Sequence, residues 1–242
     1  MSFFDALRRF FKPTPEEKAD KLRKRIVSMY GHPEDRQYAL VQLAEMGPEL
    51  APPRLIERFT CRCENGTVDA DEKERTMRLL VNLGEGSIEP LKNFLRTNDK
   101  DFNWPYRTLC ELLTHEELVK FLVELLDEIG PDYVRDPERK EQLMLVLKSF
   151  DEPEICHAIL PYLADDNETI RFVCADTVIA QGTAEGISAM TDRLIEEKSQ
   201  RVLVLIATAF RDKAWKIDEA RLERVRENMP SDFRINDKGL VI

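Results

Sequence analysis

Cys61-Arg62-Cys63 places two thiols one residue apart. In an extended segment such positions face the same side, so the pair could open a zinc site. Zinc normally takes four ligands, yet no second CxC or CxxC follows, and Cys110, Cys156 and His157 lie far along the chain. The competing reading is a thiol-bearing hairpin that turns at Asn65-Gly66. The chain has three histidines. His115 falls inside Thr114-His115-Glu116-Glu117, a capping box, which gives it a place in a first helical turn. GxSxG, HExxH, P-loop and GxGxxG patterns are absent. The carboxylate runs Asp165-Asp166 and Glu196-Glu197 read as solvated helix faces. The residues therefore nominate no catalytic group, no metal ligand and no cofactor.

Charge narrows the partners. The 242 residues carry a formal net charge of −10. Residues 1–25 hold +4 of local excess, leaving −14 for the rest. Phosphate binding is driven by clustered cations, so an acidic body disfavours nucleic acid. Five cysteines without an extracellular spacing pattern point to reduced thiols and a cytoplasmic location. Val202–Phe210, the longest apolar stretch, is far short of the ~20 residues of a bilayer span. Arg8 and Arg9 break the N-terminal apolar run, which argues against a secretory signal.

The elements that must position any site recur. Phe59, Leu95, Leu126, Leu163, Leu194 and Val225 each close a helix-like run, at intervals of 36, 31, 37, 31 and 31 residues. A period in this range marks a solenoid of helix pairs. Start signals are frequent, among them Thr14-Pro15-Glu16-Glu17 and Asp136-Pro137. The spacing predicts a helix over 15–29 and then six pairs. First helices cover 34–46, 70–83, 103–113, 137–149, 168–180 and 199–211. Second helices cover 49–60, 86–97, 115–129, 153–164, 184–197 and 217–228. The two longer intervals contain Cys61–Ala70 and Gly130–Pro137, which read as insertions into a 31-residue unit. Insertions of this kind map to loops, often on a binding face.

Asn167-Glu168-Thr169-Ile170-Arg171, followed by Ala175, Gly182, Ala184, Ile187, Met190 and Leu194, resembles a HEAT repeat of the short bacterial type. Arg36, Ala39, Leu43, Gly47, Pro53 and Leu55 resemble the same template, and Gly84, Ile88, Pro90, Leu91 and Leu95 its second half. The resemblance implies an all-α, right-handed solenoid of about six helix pairs with N-terminal capping helices. It also implies that Arg171 belongs to a polar ladder between repeats, with Asp165 or Asp166 as partner. Some HEAT proteins are enzymes. The deoxyhypusine hydroxylases hold iron on several His-Glu dyads, whereas His115-Glu116 is the single dyad here. The HEAT-like DNA glycosylases use a basic, aromatic concave face, for which Trp104, Tyr106, Arg107 and Trp215 are the candidates; the acidic body opposes that use. Trp104-Pro105 reads instead as a helix start whose ring packs under the next unit. Nothing singles out a chromophore pocket of the bilin-lyase kind.

Residues 1–12 are the sharpest local signal. At about 100° per residue, Phe3, Phe4, Leu7, Phe10 and Phe11 gather on one side and Arg8, Arg9, Lys12 and Asp5 on the other. Pro13 and Pro15 separate this amphipathic helix from the next. It reads either as a cap over an apolar solenoid end or as a peripheral membrane or partner-docking helix. Residues 13–230 form the solenoid and 231–242 a tail or hairpin that turns near Asn236–Gly239.

The expected function is therefore a non-enzymatic, cytoplasmic adaptor that binds a protein through its concave face and loops. The second helices line that face in HEAT proteins. Their candidate contact residues are Arg54, Arg58, Lys92 and Arg96, then Glu124, Asp192 and Glu196, basic at one end and acidic at the other. Ordinary charge mixing for solubility is the competing explanation. Recruitment to a membrane surface through residues 2–12 and a HEAT-derived enzyme are the alternative functions.

Overall fold

A computed structural model describes residues 13–242. The described residues are helical, without a named strand, and separate into two compact units divided after Leu118. In the first unit lie α1 (Pro15–Ile26), α2 (Pro33–Ala44), α3 (Pro52–Ile56, continued by a 3₁₀ turn over Glu57–Thr60), α4 (Gly66–Leu83), α5 (Ile88–Thr97) and α6 (Asn103–Leu112). Helix α7 (His115–Ile129) starts there and runs on into the second unit. The second unit continues with α8 (Glu138–Leu147), α9 (Pro153–Ala158, followed by a 3₁₀ turn over Leu160–Ala164), α10 (Glu168–Gln181), α11 (Ala184–Glu196), α12 (Gln200–Asp212) and α13 (Leu222–Asn228).

The ends of these helices follow from local chemistry. Thr14 and Glu17 close a reciprocal capping box on α1, with Pro15 at the first position, and Thr114 and Glu117 do the same for α7. Asn167, Thr183 and Ser199 accept from backbone amides at the starts of α10, α11 and α12. Each such cap satisfies donors that a helix leaves orphaned. Gly182 stops α10 in the left-handed conformation, at φ 65°.

First helices pack on first helices and second helices on second. Thus α4 touches α2 and α6, and α10 touches α8 and α12, while α3 touches α5 and α11 touches α13. Two rows of this kind within each unit are compatible with a helical solenoid. All six residues that set the period, Phe59, Leu95, Leu126, Leu163, Leu194 and Val225, are buried. The repeat in the sequence is thus a repeat of core positions.

Two elements differ from expectation. Asn65-Gly66 is not a hairpin turn: the Asn65 side chain accepts from the Thr67 and Val68 amides and caps α4, which therefore starts at Gly66. Much of the first insertion is an added helical turn rather than a loop. The second helix of the last pair starts at Leu222, not near 217, because the preceding residues pair with the C-terminal tail. Ile217 N–H donates to Gly239 O, and Lys216 bridges Leu240. The tail folds back on itself, with Arg234 and Ile242 exchanging backbone hydrogen bonds and Ile235 bridging Val241. The Trp104 ring stacks on Phe59 of the preceding pair, centroids 6.3 Å apart, with the Arg107 guanidinium over it.

Candidate protein-binding face

Buried ion pairs link neighbouring helix pairs. In the second unit Lys140, 1% exposed, donates to the Asp165 carboxylate at 2.7 Å and to the Asp132 carbonyl. That contact ties the second insertion, which is not helical, to α8. One repeat later Arg171 forks onto Glu197 with two bonds of 2.9 Å. Both acids sit three residues ahead of the next first helix. Arg171 does not pair with the carboxylate of Asp165 or Asp166; it donates to their backbone carbonyls. The Asp165 carboxylate is already held by Lys140, and only Glu197 presents both oxygens to the guanidinium. Burial pushes the Glu197 carboxyl up, but Arg171, the Ser199 amide and Arg193 outweigh it and hold the group below its ordinary range.

In the first unit the same device is denser. Arg36 and Arg58 both bond Glu72, Arg58 also reaches Asp69 at 2.7 Å, and Lys73 lies 2.9 Å from Asp69. The Arg58 and Glu72 side chains have no exposure at all. Burial raises Asp69, and Arg58 and Lys73 overcome it, leaving the carboxyl below its usual range. Cys63 occupies the register that Asp165 and Glu197 hold elsewhere, three residues ahead of α4, and its sulfur accepts from Arg58 at 3.4 Å. Burial drives its thiol pKa up, with Arg58 and Arg36 opposing, so the group stays a neutral thiol near pH 7. Cys61 is buried and directs its thiol to the Val27 carbonyl at 3.3 Å. The two thiols thus serve packing and polar satisfaction, and no cluster of three or more His, Cys, Asp or Glu poised for a metal occurs among the described residues.

The contact residues expected on the second-helix row fare unequally. Arg58 belongs to the buried network and reaches no surface, because its long side chain turns inward to Glu72. Arg54 is half-buried; it donates to Asp20 at 2.7 Å and to the Leu50 carbonyl. Lys92 lies 3.6 Å from Glu89, and Arg96 is half-buried on the same helix, α5. Glu124 and Glu196 are exposed, and Asp192 is exposed but engaged by Arg221 at 2.9 Å. Phe3, Phe4, Leu7, Arg8, Phe10 and Phe11 lie outside the described residues.

Between α3 and α5 the row opens into a groove of about 480 Å³, lined by Pro53, Ile56, Glu89, Pro90, Asn93, Phe94 and Thr97. Its walls are mainly apolar and its rim carries Glu89 and Asn93, both exposed. Phe94 is the residue that pattern reading missed. Leu91 and Leu95 are the buried positions of α5, and Phe94 falls about 100° from Leu95, on the flank of the core stripe. A large aromatic on such a flank was the available signal. In the second unit the corresponding row is tied by polar links instead. Arg221 binds Ser188 and Asp192, Asn228 donates to the Leu194 and Glu197 carbonyls, and His157 meets Glu185 at 2.9 Å.

Comparison of the chain with family models, curated protein sequences and solved structures gives no match. No helix among the described residues is long and apolar enough to cross a membrane.

Proposed function

We propose that this chain is a HEAT-type, right-handed α-solenoid of about six helix pairs that serves as a non-enzymatic cytoplasmic adaptor. It holds a segment of a protein partner along the second-helix row, with the α3/α5 groove as the anchoring point. The observation that carries the reading is that groove. An apolar trough with a polar rim is the form of a protein-docking site. Phe94 supplies the aromatic surface, and Glu89 and Asn93 supply directional contacts. A partner segment with an apolar face and flanking cations fits this lining.

The test is affinity capture from the native host with the full chain, followed by identification of the bound protein and titration of it in purified form. Phe94→Glu places a charge in the trough. It is expected to weaken binding at least ~30-fold, the loss of one hot-spot residue of about 2 kcal/mol. Asn93→Arg, at an exposed rim position, is expected to weaken the same partner less. Binding that survives both substitutions unchanged refutes the assignment of the groove.

A further inference from the structure

Arg36 and Arg171 hold the same place in their helices, three residues after the first. Both reach back to carbonyls of the chain just before the helix, Arg171 to Asp165 and Asp166, Arg36 to Ser28 and Gly31. The acid that completes the Arg171 rung is Glu197, three residues ahead of the next first helix, α12. The residue in that place ahead of α4 is Cys63. Here the rung has a thiol where its counterpart has a carboxylate.

The surroundings of Cys63 suit an anion. Arg58 NH2 already donates to its sulfur at 3.4 Å, and the Arg36 charge reaches it. In the second unit each rung acid also accepts from the amide two residues on, Asp165 from Asn167 and Glu197 from Ser199. The corresponding amide here, Asn65 N–H, has no acceptor among the described residues. The cluster holds more cations than anions, because Arg36, Arg58 and Lys73 are balanced only by Asp69 and Glu72. Cys63 is half-buried and lines a cavity of about 240 Å³ together with Arg36 and Asn65. A small oxidant can therefore reach the sulfur, and added oxygens have room. Electropositive, partly exposed surroundings are where cysteines undergo chemistry. Cys61 is a poorer target, since it is 8% exposed and its thiol is engaged by the Val27 carbonyl.

We propose that Cys63 is a site of oxidative modification, at which hydrogen peroxide converts the thiol to a sulfinate that takes the place of the missing rung acid. The first peroxide transfers one oxygen to sulfur, giving the sulfenic acid and water. The second transfers another, giving the sulfinate, a proton and water. Sulfur loses two electrons in each step and the peroxide gains them. The product accepts from Arg58, Arg36 and the Asn65 amide, as Glu197 accepts from Arg171 and Ser199. It also removes the excess positive charge of the cluster. Burial keeps the thiol neutral and so slows the first step; the modification records sustained oxidation rather than a brief pulse. This inference is independent of the reading of the α3/α5 groove.

Peroxide treatment of the full chain, followed by peptide mass mapping and urea denaturation, tests the idea beside Cys63→Ser. The expected product gains about 32 Da at Cys63, two oxygens, with Cys61 still a thiol. The oxidised chain is expected to fold with an equilibrium constant at least about tenfold higher than the reduced chain, the worth of one hydrogen bond to a charged group. Cys63→Ser treated in the same way shows no such gain, which separates Cys63 from oxidation at Met29 or Cys110. A fixed acid supplies the second arm. Aspartate has nearly the shape of cysteine sulfinate, so Cys63→Asp is expected to exceed Cys63→Asn by a similar factor without peroxide. A Cys61–Cys63 disulfide, read as a loss of about 2 Da, overturns the proposal, as does a Cys63 that stays a thiol or stops at one oxygen. An oxidised chain no more stable than the reduced one overturns it too. So does a Cys63→Asp chain that fails to fold or gains nothing over Cys63→Asn.

Discussion

Glu72→Gln isolates what the buried network contributes. Glu72 Oε2 lies 2.9 Å from Arg36 Nε and 2.9 Å from Arg58 NH2, and all three side chains are 3% exposed or less. The substitution keeps the shape and removes the charge. Before it, Arg36, Arg58 and Lys73 share the carboxylates of Asp69 and Glu72; after it, three cations share one. Removing one partner of a buried pair costs about 3–5 kcal/mol, because the other charge stays desolvated and unpaired. For a chain of this size that corresponds to a fall in Tm of roughly 6–20 °C. Glu74→Gln is the matched control. Glu74 lies two residues away on the same helix, and its pair with Arg78 is exposed on both sides. An i,i+4 pair in water is worth about 0.3–0.5 kcal/mol. Urea denaturation followed by far-UV circular dichroism measures both. Replacing the group together, as Arg36→Met/Arg58→Met/Glu72→Leu, is expected to cost less than Glu72→Gln alone, because no charge is stranded. A Glu72→Gln protein within about 1 kcal/mol of Glu74→Gln would refute the claim that this network is desolvated and energetically coupled.

Further outcomes follow from other contacts. Asn65→Ala removes the α4 cap and is expected to cost about 1 kcal/mol, with faster amide exchange at Thr67 and Val68, the two donors it satisfies. Acid is expected to destabilise both units. Asp69 and Glu197 are held below their ordinary values of 3.8 and 4.5 in the fold. The unfolded chain therefore takes up protons first, so their contribution is whole above about pH 4.5 and is lost as pH falls through the lowered folded values. Urea midpoints followed downward from neutral pH show this, with a shallower slope expected in Glu197→Gln. Gly239 has φ 77°, and a Cβ there would sit 2.4 Å from the Ile217 carbonyl oxygen. Gly239→Ala is expected to break the tail from residues 216–217, read as proteolytic nicking between Pro230 and Ile242 under conditions that spare the parent chain.

Helix positions were legible because they rest on local rules. Capping boxes, prolines at first turns and the periodic apolar residues all act within a few positions along the chain. The Asn65-Gly66 turn was misread because asparagine before glycine serves a hairpin and a helix cap alike. The choice fell to the apolar pattern downstream, which carries α4 onto α2 and α6. Arg171 meets Asp165 and Asp166 only through their backbone carbonyls, and its carboxylate partner is Glu197. Sequence proximity favoured Asp165 and Asp166, whereas packing of α10 against α12 brings Glu197, 26 positions away, to the guanidinium. Arg58 was assigned to a surface because arginine on a helix usually reaches water. Only the position of Glu72 on α4, delivered by the packing of α3 and α4, turns it inward.

By itself the sequence determined the all-helical class, the approximate positions of most helices and the residues that would be buried at each beat of the repeat. Those properties depend on neighbours three or four positions away, whose geometry one helix already fixes. The tertiary structure decided which charges pair, which thiols are satisfied and where the second-helix row stays open. Those outcomes depend on groups from different helices meeting within hydrogen-bond reach, and that distance is set by packing between rows rather than by spacing along the chain.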